Sequence, residues 1–219
     1  MRYAMIMAGG SGTRLWPMSR KNMPKQLIPF KDGRSLLQMA WQRLDGLVPP
    51  DRICICAAEE HREVILAALP DLRTDLFFGE PTGRDTLNAV GLSAMLLSRL
   101  DPDAVFAALT ADHVIGPVED FQAYLDRGFS FVEEDHAAMA TFGIQPTAPA
   151  TGFGYLAVGP YIAEGVVAVE EFKEKPEAPL AAEYYAAGPD RYLWNSGMFV
   201  WHARTLLECI RRYEPATFA

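Results

Sequence analysis

Gly9, Gly10 and Gly12 fall within four residues in Ala8-Gly9-Gly10-Ser11-Gly12-Thr13, directly after an apolar run over residues 3–7. With no side chain in the way, backbone N–H groups in such a run can approach a phosphate or a base edge closely. Arg14 closes the run, and Lys25 follows eleven residues later. An arginine grips phosphate oxygens with two parallel hydrogen bonds, and a lysine adds a mobile point charge. Asp112, in Thr110-Ala111-Asp112-His113, offers the hard oxygen that Mg2+ takes from one or two carboxylates alongside substrate phosphates. This set suits phosphoryl or nucleotidyl transfer, which depends on positioning and on neutralising charge spread over phosphate oxygens. Taken alone, the glycine run reads equally well as a tight strand-to-helix turn.

Glu80, in Glu80-Pro81-Thr82-Gly83-Arg84-Asp85-Thr86, could read a base. An ionised carboxylate accepts two parallel hydrogen bonds and donates none. That matches the ring N1–H and exocyclic amine of guanine, whereas a uracil or thymine reader needs a group such as Gln that both donates and accepts. The bland alternative is an exposed loop acid. Asp85 is a good helix N-cap. The glycine run is not a Walker A loop, which places Lys before Ser or Thr after a four-residue gap, and Leu15 occupies the third glycine position of a dinucleotide fingerprint. His113 has no second His or Cys nearby, which argues against zinc and for a role in orienting its loop.

Short apolar runs alternating with amphipathic segments must position these residues. Strands are expected over 3–7, 53–57, 76–78, 105–109 and 137–144, and helices over 35–44, 62–69, 86–100 and 121–133. The expected fold is therefore α/β: three layers, Rossmann-like, with a mostly parallel central sheet and helices on both faces. Ligands of such sheets bind beyond the carboxyl ends of the strands, where the loops 8–14, 79–85 and 110–113 converge. After residue 145 the texture changes, with strands expected over 166–172 and 199–201 and helices over 179–187 and 204–213. The 219 residues suit one domain in two halves, 1–145 and 146–219, of which the first carries the glycine run and the strand-end loops expected to bind a nucleotide.

The net charge of −8 excludes general nucleic-acid binding, which needs a basic face. No apolar stretch approaches the roughly 20 residues of a membrane span. Three cysteines, Cys54, Cys56 and Cys209, give no disulfide framework, so the cytoplasm is the expected compartment. Cys54 and Cys56 read as small core side chains.

The run from Gly9 through Arg14-Leu15-Trp16-Pro17-Met18-Ser19-Arg20, followed by Pro24-Lys25-Gln26, resembles the opening motif of mannose-1-phosphate guanylyltransferases in the sugar nucleotidyltransferase superfamily. The 80–86 segment is similar to that family's Glu-Pro-x-Gly-Arg-Asn-Thr, and Ala111-Asp112-His113 to the superfamily's Ala-Asp-His. Thr151-Gly152-Phe153-Gly154-Tyr155, Phe172-Lys173-Glu174-Lys175-Pro176 and Trp194-Asn195-Ser196-Gly197-Met198-Phe199 resemble its later motifs. The resemblance implies that Ala8 through Thr13, Glu80, Arg84, Asp85 and Asn88 bind the nucleotide. It makes Arg14, Lys25 and Asp112 catalytic, with Asp112 holding Mg2+. Gly152 and Gly154 would supply a sugar platform, Glu174 and Asn195 would bind hydroxyls, and Lys175 would pair the sugar phosphate. That 146–219 is a sugar-phosphate half rests on this resemblance alone. The substrates implied are GTP and mannose 1-phosphate, and the products GDP-mannose and pyrophosphate. A homodimer is left open.

Two departures stand out. Asp85 replaces the family's Asn, and Leu87-Asn88 replaces its Ala-Pro. The family also continues past the 194–199 motif, where the resemblance implies a second metal-ligating Asp. The sugar-phosphate half is thus expected to be incomplete. Rival readings are a uridylyl- or thymidylyltransferase for a related sugar 1-phosphate, and a nucleotide-sugar-binding subunit or fragment with weak or no catalysis.

Overall fold

The runs richest in apolar residues form parallel strands. The computed structural model describes residues 1–9, 25–83 and 86–218. The chain runs through β1 (Arg2–Met7), a short antiparallel pair β2 (Pro29–Lys31) and β3 (Arg34–Ser35), α1 (Leu36–Gln42), β4 (Ile53–Ala58) and α2 (Arg62–Ala68). Next come β5 (Phe77–Glu80), α3 (Thr86–Leu100), β6 (Val105–Thr110) and α4 (Val118–Glu134). β1 pairs parallel with β4 on one side and β6 on the other, and β4 pairs parallel with β5.

The order β5-β4-β1-β6 reverses direction between β1 and β6. Right-handed crossovers then place α1 and α2 on one face of the sheet and α3 on the other. Ala4, Met5, Ile6, Ile55, Phe106 and Ala107 are fully buried, because a parallel strand covered on both faces has no solvent side to alternate with. Cys54 and Cys56 are buried in β4 as small core side chains, their thiols directed at the Ala4 and Ala89 carbonyls. α1 begins with a capping box: Ser35 Oγ accepts from Gln38 N (3.2 Å), and Gln38 Oε1 accepts from Ser35 N (2.9 Å). Gln38 Nε2 also donates to Ala68 O (3.1 Å), which ties α1 to α2.

A second compact unit spans Thr141–Met198. β7 (Met139–Ile144) leads into it, and β8 (Tyr155–Ala163) and β9 (Val166–Lys173) form an antiparallel hairpin. α5 (Ala178–Ala187) follows, and residues 192–194 of β10 (Tyr192–His202) pair antiparallel with β8. The unit has an aromatic core in which fully buried Tyr155 packs on Tyr184 and Trp194, with ring centroids 5.3 and 6.5 Å away.

Residues 199–202 of β10 pair antiparallel with β6, and α6 (Ala203–Tyr213) and α7 (Pro215–Phe218) follow. The first unit is therefore Met1–Ala140 together with Phe199–Ala219. The sequence had grouped 199–219 with the preceding residues. Their return has a physical cause: Val200 and Trp201 are buried, and the strand covers the edge that β6 would otherwise leave bare. α6 packs on α3 closely enough that a Cβ on Gly91 would lie 3.1 Å from Ile210 Cδ1. The expected mostly parallel sheet with helices is thus realised in the first unit, whereas the pairings of β8 with β9 and β10 are antiparallel. Among the described residues, no helix is long and apolar enough to cross a membrane.

Candidate functional site

Three parallel strands of the first unit deliver candidate residues at their carboxyl ends. β1 ends at Met7 and hands on Ala8 and Gly9, β5 ends on Glu80, and β6 hands on Ala111, Asp112 and His113. Gly9 and Asp112 follow the two strands between which the sheet order reverses, the place where open α/β sheets bind their ligands. Backbone bonds fix both exits: Ala8 N donates to Cys56 O (2.8 Å), and Ala111 N donates to Met7 O (3.2 Å).

Lys25 begins a single 3-10 turn over Lys25–Leu27. Its Nζ donates to Asp112 Oδ2 at 2.7 Å, so two of the predicted catalytic groups touch. Burial opposes charging of the Asp112 carboxyl, but the Lys25 hydrogen bond and charge, with His113 adding to them, hold it below the usual carboxylate range. His113 Nδ1 lies 2.6 Å from Thr110 Oγ1, and its Nε2 lies 3.9 Å from Asp112 Oδ1.

Next to Lys25, Gln26 is buried and its Nε2 donates to the Gly9 carbonyl. Glu80 is also buried, with only 8% of its surface exposed, and so is not the exposed loop acid of the bland reading. A Cβ placed on Gly9 would stand 3.8 Å from Glu80 Oε2, an ordinary contact, so the carboxylate lies close to the end of β1. Burial first, and then the nearby Glu80 charge, push the Cys56 thiol up to about 12. Asn88 is half-buried in the first turn of α3. Gly10, Ser11, Gly12, Thr13, Arg14, Arg84 and Asp85 lie outside the described residues.

Two residues that sequence reasoning passed over support this edge. Gln26 is one. The other is Arg43, just past α1, only 5% exposed, whose Nη2 donates to His113 O at 3.0 Å. Both act on backbone carbonyls: Gln26 stands in the Pro24-Lys25-Gln26 motif without a role read from it, and Arg43 stands in no motif. A signal for Arg43 did exist: it is three residues beyond Ala40 and next to Leu44, on the apolar stripe of its own helix.

The second unit gathers most of the proposed sugar-side residues. Asn195 N donates to Gly154 O (2.8 Å). A Cβ on Gly154 would lie 2.8 Å from the Phe172 ring and 3.2 Å from Glu174 Oε2. Glu174 Oε1 pairs with Lys175 Nζ at 2.7 Å, and both side chains are exposed. Lys175 holds φ at 38°, a left-handed conformation uncommon for a non-glycine residue and frequent at functional positions. Asn195 Oδ1 accepts from Thr141 Oγ1 (3.0 Å) and Gly197 N (3.2 Å), so its oxygen serves the fold. Gly152 is exposed, with open space around its Cα.

Asp112 is the one predicted metal ligand, and among the described residues no three His, Cys, Asp or Glu side chains gather to hold a metal. A half-exposed carboxylate kept ionised fits Mg2+, which retains waters and substrate oxygens in most of its coordination sphere.

Comparison with known proteins places these residues in context. The nucleotidyl transferase family model matches residues 3–217. The chain is 40% identical to xanthan biosynthesis protein XanB of Xanthomonas campestris pv. campestris over 97% of its length and 44% of that protein's. It is 38% identical to mannose-1-phosphate guanylyltransferase of Escherichia coli K12, over 97% of its length and 45% of the relative's. It thus spans less than half the length of these curated relatives. Among solved structures it is similar to one described as mannose-1-phosphate geranyltransferase from Thermus thermophilus. The TM-score is 0.89 and the identity 34%, covering 99% of this chain and 62% of the other.

Proposed function

We propose, from the premise that this chain belongs to the nucleotidyl transferase family, that it joins GTP to mannose 1-phosphate, releasing pyrophosphate and GDP-mannose. The observation that carries the proposal is the 2.7 Å contact between Lys25 Nζ and Asp112 Oδ2, where the parallel sheet reverses its order. A cation and an ionised carboxylate at that edge suit a metal-bound polyphosphate. Bound Mg2+ would neutralise the triphosphate and shield it from the incoming anion. Asp112 would supply its protein oxygen. Lys25, drawn off the carboxylate, and Arg14 would stabilise charge developing on the phosphate oxygens. No protein base is required, because the attacking sugar phosphate is already ionised. Glu80 would select guanine, since its two oxygens match two adjacent donors. Gly154, Glu174, Lys175 and Asn195 would present the sugar phosphate.

The test is pyrophosphate release with Mg2+ across pairs of nucleoside triphosphates and sugar 1-phosphates, GTP with mannose 1-phosphate being the fastest. Asp112→Ala should abolish most turnover and keep its circular dichroism. A folded Asp112→Ala that turns over at the parental rate would refute the assignment. A second reading is nucleotide binding without turnover. Saturable GTP binding with no pyrophosphate from any pair would establish it.

A further inference from the structure

Arg43 carries a charge into the protein interior without a carboxylate to pair with it. Its side chain is 5% exposed, and no acid among the described residues offsets the burial that lowers its pKa. Burying an unpaired charge is costly unless specific polar contacts repay it. The contacts here are directional. Nη2 donates to the carbonyl of His113, the residue after Asp112, at 3.0 Å. The guanidinium carbon lies 5.2 Å from the centre of the Phe121 ring in α4, within reach of a cation–π attraction. Gln122 then clamps the backbone on either side of Leu44, donating to Arg43 O (3.0 Å) and Asp45 O (2.8 Å). Phe121 thus meets the guanidinium itself as it projects to the 110–113 loop, whereas Gln122 holds only backbone.

We infer that Arg43 is a positioning residue for that loop: it pins the His113 carbonyl so that Asp112 holds its place beside Lys25. Three tethers then define the loop. Met7 O receives Ala111 N, Thr110 Oγ1 meets His113 Nδ1, and Arg43 takes His113 O. Arg43 is the only one of the three from the α1 side. The consequence for metal binding rests on the function proposed above. The consequence for the loop does not.

The experiment compares Arg43→Met, Arg43→Lys and Gln122→Ala with the parent protein. Two quantities are read: exchange of the Ala111 amide by NMR without ligand, and the Mn2+ midpoint by EPR at fixed GTP. Arg43→Met should speed Ala111 exchange about tenfold. It should raise the Mn2+ midpoint roughly 10–100-fold, as loss of a group orienting a metal ligand typically does. Arg43→Lys, which keeps a donor and the charge, should recover part of both. Gln122→Ala should lower the melting temperature and leave both readouts at parental values. Should Arg43→Met fail to fold, Arg43→Lys decides: parental exchange and midpoint overturn the inference, and an intermediate shift in both supports it. Equal shifts in Gln122→Ala and Arg43→Met also overturn it, because general loosening would then suffice. A parent that binds no Mn2+ with GTP, while Arg43→Met still speeds Ala111 exchange, would sink the proposed function and uphold the positioning role.

Discussion

Glu80 ends β5 buried near Gly9 and the Cys56 thiol, which places a carboxylate at the strand-end edge. Changing Glu80 to Gln keeps the shape and turns one acceptor into a donor, which faces a donor of guanine. Charged hydrogen bonds are worth about 1.5–3 kcal/mol each, so the preference for GTP over UTP should fall roughly 10–150-fold. Competition kinetics with mannose 1-phosphate would show it, and an unchanged ratio would remove Glu80 from base selection. Glu80 and Asp112 were legible in the sequence as acids at strand ends, because each closes or follows a short apolar run. Arg43 and Gln26 were not, because each works through a backbone carbonyl brought near only by the fold. For Arg43 the spacing signal was present, but an arginine at the rim of an apolar stripe ordinarily reads as a stem lying along the surface.

The parallel strands announced themselves because burial on both faces demands short unbroken apolar runs, and residues 105–110 or 53–58 can be little else. α3 was legible to its ends for the same reason, through apolar residues three and four apart. β8 was missed. It carries Gly159 and Pro160 in mid-strand, which read as breakers, and its pairing with β9 accommodates them through register shifts between 157 and 163. The first residues of β10 were missed because Asn195-Ser196-Gly197 interrupts the pattern, and Gly197 sits at φ 71°. In this second unit a small residue is a packing requirement. Adding a methyl at Gly154 would press on Phe172 and Glu174, both free to swing outward because they are exposed. Gly154→Ala should therefore fold, at a cost within the roughly 1–3 kcal/mol typical of overpacking. The displaced Glu174 should raise KM for mannose 1-phosphate and leave KM for GTP unchanged. Equal effects on both substrates would mean that the hairpin acts only as scaffold.

At the scale of the whole first unit, stability should depend on pH through His202. This residue joins β10 to α6, the helix that packs on α3, so its state bears on how the chain's last segment docks. Its ring is buried, stacks on the His136 ring at 4.3 Å, and has no hydrogen-bond partner on either nitrogen among the described residues. Burial is the main cause that lowers its pKa. His136 and Arg204 act with it, and Asp103 and Asp101 act against it. The folded protein therefore keeps His202 neutral at a pH where the unfolded imidazole, with a pKa near about 6.5, takes a proton. Between the two pKa values the unfolded chain binds more protons, so stability rises with pH there and falls as pH drops below about 6.5. Protonation would also place a positive charge at the amino end of α6, where the helix dipole disfavours it. The carboxylates held low, Asp101 and Asp112, lose their contribution only in a more acidic range. Melting curves from pH 7.5 to 5 should thus be nearly level at first and fall below about pH 6.5 in the parent protein. The fall should be shallower in His202→Phe, which keeps an aromatic ring against His136 and cannot titrate. If the two profiles run parallel across that window, His202 is not the group responsible, and His136 becomes the next to replace.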